Sequence, residues 1–356
     1  MKKILGIFRG FPGLGRVVSG ISLLETLNEQ YGCGIKIITY FQGNRYLESK
    51  GYADLQEAVP MDYCSIGLLP TNKMGAYIHQ TIKEFKPDVI VVDGEPLMIQ
   101  SIKISHKQVK VVALLNPADV DNQSNDKEAM DFFNSIYSLA DLAIIHGLRS
   151  ISPPSQYGDY ISIGTILRKE IIEIINRPQK DIFCLLGGGT VNVGHQFYES
   201  TIIIGELCIK VANSLPDYKM HIVCSSQNIY DALNENAIPQ NVIMYNKVLD
   251  SSKYYTDACL IITRSGRNTL SELAFLGIPA ISFVSGCSYR KEEQKQNMDC
   301  LPDSNIVSAS LDIHPDDLKD LCLNMIGRNR GKFFFECGNK KALENILSLA
   351  RIERSR

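Results

Sequence analysis

The run Arg264-Ser265-Gly266-Arg267-Asn268-Thr269-Leu270-Ser271-Glu272 joins a cationic side chain, a small polar turn and what reads as the start of a helix. A helix start offers N–H groups with no partner inside the helix and the positive end of the macrodipole, which together suit a diphosphate. Glu272 falls one turn in, where a carboxylate can accept both hydroxyls of a ribose. The same residues also fit a plainly structural role, with Thr269 and Ser271 as caps and Glu272 favouring the helix N-terminus.

Two further groups carry related chemistry. Gly187-Gly188-Gly189-Thr190 directly follows an apolar run, and consecutive glycines let backbone N–H groups approach phosphate or sugar oxygens. A tight turn alone would explain them equally well. Glu293-Gln294-Lys295-Gln296-Asn297 brings amides and a carboxylate soon after another apolar run, and amides pair well with sugar hydroxyls. The bland alternative is a solvated helix start.

Such groups need a frame. Short apolar runs alternate with longer amphipathic stretches, the pattern of a parallel α/β sheet. Strands are expected at Lys3–Phe8, Ile35–Tyr40, Val89–Asp93, Val109–Leu115, Leu142–His146 and Tyr160–Ile163. The pattern restarts with Asp181–Leu186, then Lys219–Cys224, Val242–Tyr245, Cys259–Thr263 and Ala280–Phe283. Helices fit Val17–Gln30, Ala76–Phe85, Lys127–Leu139, Phe197–Leu215 and Lys340–Arg351. Each half opens with strand, glycine turn and helix, so two Rossmann-like domains are expected. We place them at 1–164 and 165–339, with 340–356 a closing helix and tail.

A chain of 356 residues, 45% hydrophobic and 21% charged, is long enough for two ordinary cores. Its net charge of -2 gives no global argument for nucleic acid or anionic lipid. Cysteines such as Cys184, Cys224 and Cys259 lie inside apolar runs with no Cys-x-x-Cys pair, as free buried thiols do in a reducing compartment. The N-terminal apolar run is broken by Arg9 and Pro12 before it reaches signal-peptide length. A cytoplasmic location is expected.

Taken together, these pieces resemble the C-terminal domain of family 28 glycosyltransferases of the GT-B type. The resemblance runs from Ile163-Gly164-Thr165 through Leu186–Gly189 and Ser265–Glu272 to Gly277-Ile278-Pro279-Ala280 and Glu293-Gln294-x-x-Asn297. In the first half it reaches only the glycine turn and Lys86–Pro96. It implies two Rossmann-like domains facing each other across a cleft, and a metal-independent, inverting transfer from a nucleotide-diphosphate sugar, most commonly UDP-linked. Gly266 to Thr269 would hold the diphosphate, Glu272 the ribose and the backbone near Val248 the base, with Gln294 and Asn297 at the donor sugar. No cofactor or metal is implied beyond the nucleotide sugar itself.

One departure matters. The family pattern carries Gly-x-Gly-His on the acceptor side, whereas here the run is Gly13-Leu14-Gly15-Arg16. Arginine stays protonated and cannot act as a base, although it can stabilise an anion. Asp93 and Glu95, at the end of a strand where α/β sheets place ligands, become candidates for the proton transfer, as does His79. Asp119-Val120-Asp121 has a metal-binding spacing but reads as a polar loop, and His195 as a solvated loop residue. The acceptor is not readable. Leu68, Leu69, Met74 and Tyr77 would suit an apolar one or a peripheral membrane contact, and the basic run Arg328–Lys332 is ambiguous in the same way. A monomer or homodimer without nucleic acid is expected. Competing readings are a nucleotide-sugar hydrolase or epimerase on the same fold, and a binding protein that has lost its base.

Overall fold

In a computed structural model, the residues described are 1–10, 14–53, 55, 72–187, 195–224, 226–246, 251–285, 288–301, 305–328 and 335–352. The chain divides into two compact units, Met1–Arg168 with Cys337–Arg356, and Lys169–Glu336. The passage between them lies at Arg168/Lys169, and the final helix is part of the first unit.

The first unit begins β1 (Lys3–Phe8), α1 (Gly15–Tyr31), β2 (Gly34–Ile38), α2 (Gln42–Ser49) and α3 (Asn72–Phe85). It continues β3 (Val89–Asp93), α4 (Pro96–Ser105), β4 (Lys110–Leu115), α5 (Pro117–Val120), α6 (Lys127–Tyr137), β5 (Leu142–His146) and β6 (Tyr160–Ile163). Its six strands pair in parallel in the order β2-β1-β3-β4-β5-β6. Runs such as Val89-Ile90-Val91-Val92 are buried throughout, because helices cover both faces of the sheet.

The second unit contains α7 (Lys169–Ile172), β7 (Asp181–Leu185), α8 (His195–Ala212), β8 (Lys219–Val223), α9 (Gln227–Asn234) and β9 (Val242–Tyr245). It then runs α10 (Ser251–Asp257), β10 (Ala258–Arg264), α11 (Arg267–Leu276), β11 (Ala280–Phe283), α12 (Ser288–Asp299), β12 (Ile306–Ala309) and α13 (Pro315–Gly327). Its sheet is again parallel and six-stranded, ordered β12-β11-β10-β7-β8-β9. That is the strand order of a Rossmann domain, with the order reversing beside its first strand.

The chain closes with α14 (Asn339–Ile352). Ala342, Leu343, Ile346 and Leu347, spaced as one helical face, enter the core formed by Ile4, Ile21, Val91 and Val112. Asn339 fixes the helix start: its Oδ1 accepts from Leu167 N at 2.8 Å and its Nδ2 donates to Leu167 O at 2.8 Å. Among the described residues, no helix is long and apolar enough to cross a membrane.

Candidate functional site

In an open parallel sheet, ligands bind beyond the C-terminal ends of the strands where the strand order reverses. In the second unit that point lies between β7 and β10, which pair in parallel. Gly187 follows the first of these strands and Arg264 ends the second. They meet: Gly187 takes φ +73°, and a Cβ there would stand 2.5 Å from an Arg264 guanidinium nitrogen. Arg264 Nη1 also donates to Thr201 Oγ1 of α8 at 3.3 Å, which steadies the guanidinium beside the turn.

Gly266 forms the N-cap of α11 and supplies no capping side chain. Open space lies where its Cβ would be, so a ligand atom can approach the start of the helix, where the first-turn N–H groups of Arg267, Asn268 and Thr269 lie. Ser265 is turned inward, its hydroxyl 2.7 Å from that of Ser282. Ser271 bonds back to Arg267 O at 2.8 Å, so it is not a cap. Arg267 is mostly buried, with Nε 3.1 Å from Asn268 Oδ1.

Glu272 is buried, and its Oε2 accepts from the hydroxyl of buried Tyr255 at 2.6 Å. This partner on α10 orients the carboxylate and was not visible from spacing. Gln294 has a use other than the one expected of it. Its Oε1 accepts from Ser285 N at 2.8 Å and its Nε2 donates to Ser285 O at 2.9 Å, so its amide clamps the backbone just beyond β11. Asn297, one turn further along α12, is buried, and among the described residues its Nδ2 has no hydrogen-bond partner. Glu293 lies on the same helix, half-buried. Gly188, Gly189, Thr190 and Val248 fall outside the described residues, as do the side chain of His195 and the run 329–332.

The corresponding reversal in the first unit lies between β1 and β3. Here the structure gathers Arg9, Arg16, Tyr40, Asp93, Glu95 and Asp119. Arg16, at the start of α1, is partly buried between two carboxylates. Its Nη1 lies 2.5 Å from Asp93 Oδ1 and 3.0 Å from Asp119 Oδ2, and its Nη2 lies 2.7 Å from Asp119 Oδ1. Burial opposes the guanidinium charge, but Asp119 and Asp93 outweigh it and hold the group firmly protonated. Burial likewise works against an ionised Asp119, and Arg16 reverses it, so that the carboxyl titrates below its usual range. Asp119 also accepts from Asn116 N at 2.9 Å and sits on α5; the polar-loop reading is corrected accordingly.

Gly94 turns between the two acidic candidates with φ +81°, and a Cβ there would come within 2.6 Å of Arg16. This turn sends Asp93 to Arg16 and Glu95 the other way. Glu95 Oε1 accepts from the Tyr40 hydroxyl and lies 3.7 Å from Arg9 Nε. Burial pushes the Glu95 carboxyl above its usual value, against the opposing pull of Arg9, Tyr40 and Arg16. Arg9 and Tyr40 escape sequence reasoning because each merely ends a strand. Gly15 begins α1, and Gly13 is outside the described residues.

His79 does not join this cluster. Its ring stacks on His106, with Nδ1 2.9 Å from His106 Nε2 and Nε2 2.8 Å from Ser101 Oγ. Those partners lie on α4 and its C-cap, so His79 fastens α3 to α4. Met74 and Ile78 are core, whereas Leu68 and Leu69 are not described. Among the described residues, no group of His, Cys, Asp or Glu is arranged to hold a metal ion.

Residues 205–313 match the glycosyltransferase family 28 C-terminal domain. No curated protein matches the chain in sequence. Solved structures resemble it along its length. MurG of Acinetobacter baumannii is 15% identical, with a TM-score of 0.58 over 98% of this chain and 100% of that one. UGT89C1 of Arabidopsis thaliana, solved with UDP, is 10% identical, with a TM-score of 0.67 over 98% and 100%. A putative UDP-N-acetylglucosamine 2-epimerase of Listeria monocytogenes is 12% identical, with a TM-score of 0.59 over 99% and 98%. At these identities the likeness is one of fold. The second unit thus resembles the glycosyltransferase family 28 C-terminal domain over residues 205–313, and the chain has the two-domain GT-B fold.

Proposed function

We propose that the chain is a glycosyltransferase that draws on a nucleotide-diphosphate sugar, most simply a UDP-sugar, with the nucleotide held by the second unit. The observation that carries this reading is the meeting of Gly187, Arg264 and the open start of α11 at the strand reversal of that sheet. A diphosphate placed there receives first-turn N–H groups, the helix dipole and a fixed guanidinium. The same arrangement offsets the charge that grows on the departing diphosphate during transfer. Glu272, held by Tyr255, would accept ribose hydroxyls, and Asn297 Nδ2, without a partner among the described residues, would donate to a sugar oxygen. The first unit would take the acceptor.

A thermal-shift panel of nucleotides and nucleotide sugars tests this, since a ligand that binds only the native state stabilises it. Specific stabilisation by one nucleoside diphosphate is expected; a flat response across the panel would sink the reading. The epimerase neighbour keeps a second reading in view, a hydrolase or epimerase acting on the same donor. Consumption of the nucleotide sugar with no acceptor present would favour it.

A further inference from the structure

The first unit lacks the histidine expected of its family pattern, and the group standing there, Arg16, cannot take a proton. We infer that Glu95 is the catalytic base of this chain, receiving the proton of the attacking hydroxyl, and that Tyr40 and Arg9 are its positioning residues. This rests on the glycosyl-transfer reading above.

The alternatives are already engaged. Asp93 and Asp119 pair with Arg16 at 2.5 and 2.7 Å, against 3.7 Å between Arg9 and Glu95, which makes the two aspartates the poorer proton acceptors. His79 is tied to Ser101 and His106 on another element. Glu95 differs in how its oxygens are used. Tyr40 and Arg9 both address Oε1, and among the described residues Oε2 has no partner. The positive-φ turn at Gly94 places that carboxylate at the end of β3, beside the strand reversal. Burial raises its proton affinity, which brings a carboxylate closer to the range useful for a base near neutral pH.

The step balances without a further reagent. The acceptor hydroxyl oxygen forms its bond to the anomeric carbon as the bond from that carbon to the diphosphate oxygen breaks, and the electron pair leaves with the nucleoside diphosphate. The hydroxyl proton passes to Glu95 Oε2 and then to solvent. The ionisable groups acting on Glu95 are Arg9 beyond β1, Tyr40 beyond β2 and Arg16 on α1; Asp93 on β3 and Asp119 on α5 pair with Arg16, and Tyr137 on α6 lies near Asp119.

The test measures UDP release from UDP-glucose and UDP-N-acetylglucosamine across pH, with water alone and with glycerol, glucose and N-acetylglucosamine as acceptors. We expect Glu95→Gln to lower kcat by about a hundredfold or more, while UDP still raises its Tm as in the wild type. Glu95→Asp should retain part of the rate. Tyr40→Phe removes a hydrogen bond that favours the ionised carboxylate, so the acid limb of its kcat profile should move to higher pH; a merely structural tyrosine would leave the limb in place. Wild-type turnover in Glu95→Gln, or an unmoved limb in Tyr40→Phe, overturns the assignment. So does the absence of UDP release from the wild type in every mixture, even where UDP binds and the donor reading stands. Failure of UDP to bind at all removes both.

Discussion

Gly187 and Arg264 share one space: the guanidinium lies where a side chain at 187 would begin, and the glycine takes φ +73°. Gly187→Ala therefore combines left-handed backbone strain, about 1–2 kcal/mol, with displacement of Arg264. We expect a lower Tm and a larger proportional loss in UDP affinity. A variant that keeps wild-type UDP affinity, measured by calorimetry, would separate Arg264 from the phosphate site.

Glu272 and Tyr255 allow a sharper test of ribose recognition. A charged hydrogen bond to a ribose hydroxyl contributes about 1.5–3 kcal/mol, so the wild type should prefer UDP over 2′-deoxy-UDP by roughly tenfold or more. Glu272→Gln should erase most of that preference. Equal preference in the variant and the wild type would return Glu272 to a purely structural role.

Much of the frame is legible in the sequence because buried parallel strands are written as continuous apolar runs. Val89–Asp93, Leu142–His146 and Ala280–Phe283 need no more than that. β12 and α2 escape because Ile306–Ala309 is short and Gln42–Ser49 is largely polar. The Arg16 network is invisible for a different reason: its carboxylates lie 77 and 103 residues away in the chain. Only the sheet brings them together. Gln294 illustrates the limit from the other side, since an amide suited to a sugar hydroxyl is equally suited to a peptide group, and here it finds Ser285.

That clamp predicts an asymmetry. Gln294→Ala leaves the buried N–H and C=O of Ser285 without their partner and should cost about 1–3 kcal/mol. Ser285→Ala should be neutral or mildly stabilising, because the Ser285 hydroxyl is buried with no hydrogen-bond partner among the described residues. Chemical denaturation of the two variants checks it, and equal losses would show that the clamp is not the dominant contact.

Asp119 makes the fold sensitive to acid. A carboxyl that titrates below its ordinary value of about 3.9 contributes stability above that pH and loses it as pH falls through the folded-state value. The wild type should lose stability below about pH 4 for this reason. Asp119→Asn should be less stable at neutral pH, by about 3 kcal/mol as for a broken buried ion pair, and should respond less to acid. An unchanged slope of stability against pH would exclude Asp119 as the source.

His79 and His106 give a second, milder dependence. Burial lowers the pKa of both rings, assisted by Lys83 at His79 and by the facing ring at His106. A histidine with a lowered folded-state pKa stabilises above its ordinary value of about 6.5 and less as pH falls below it. Replacing His79 with Gln should flatten the Tm profile below about pH 6.5 without altering UDP release near neutrality. A large loss of turnover would restore His79 as a catalytic candidate.

The return of α14 to the first unit has a consequence for the order of events at the ribosome. Asn339 reaches Leu167 across 172 residues and Ser22 across 317, and the helix behind it fills part of the first core. The second unit is continuous in sequence and can close as soon as Glu336 has emerged. The first must wait for α14, which is synthesised after the whole of the second unit, so the unit begun before the other is completed after it.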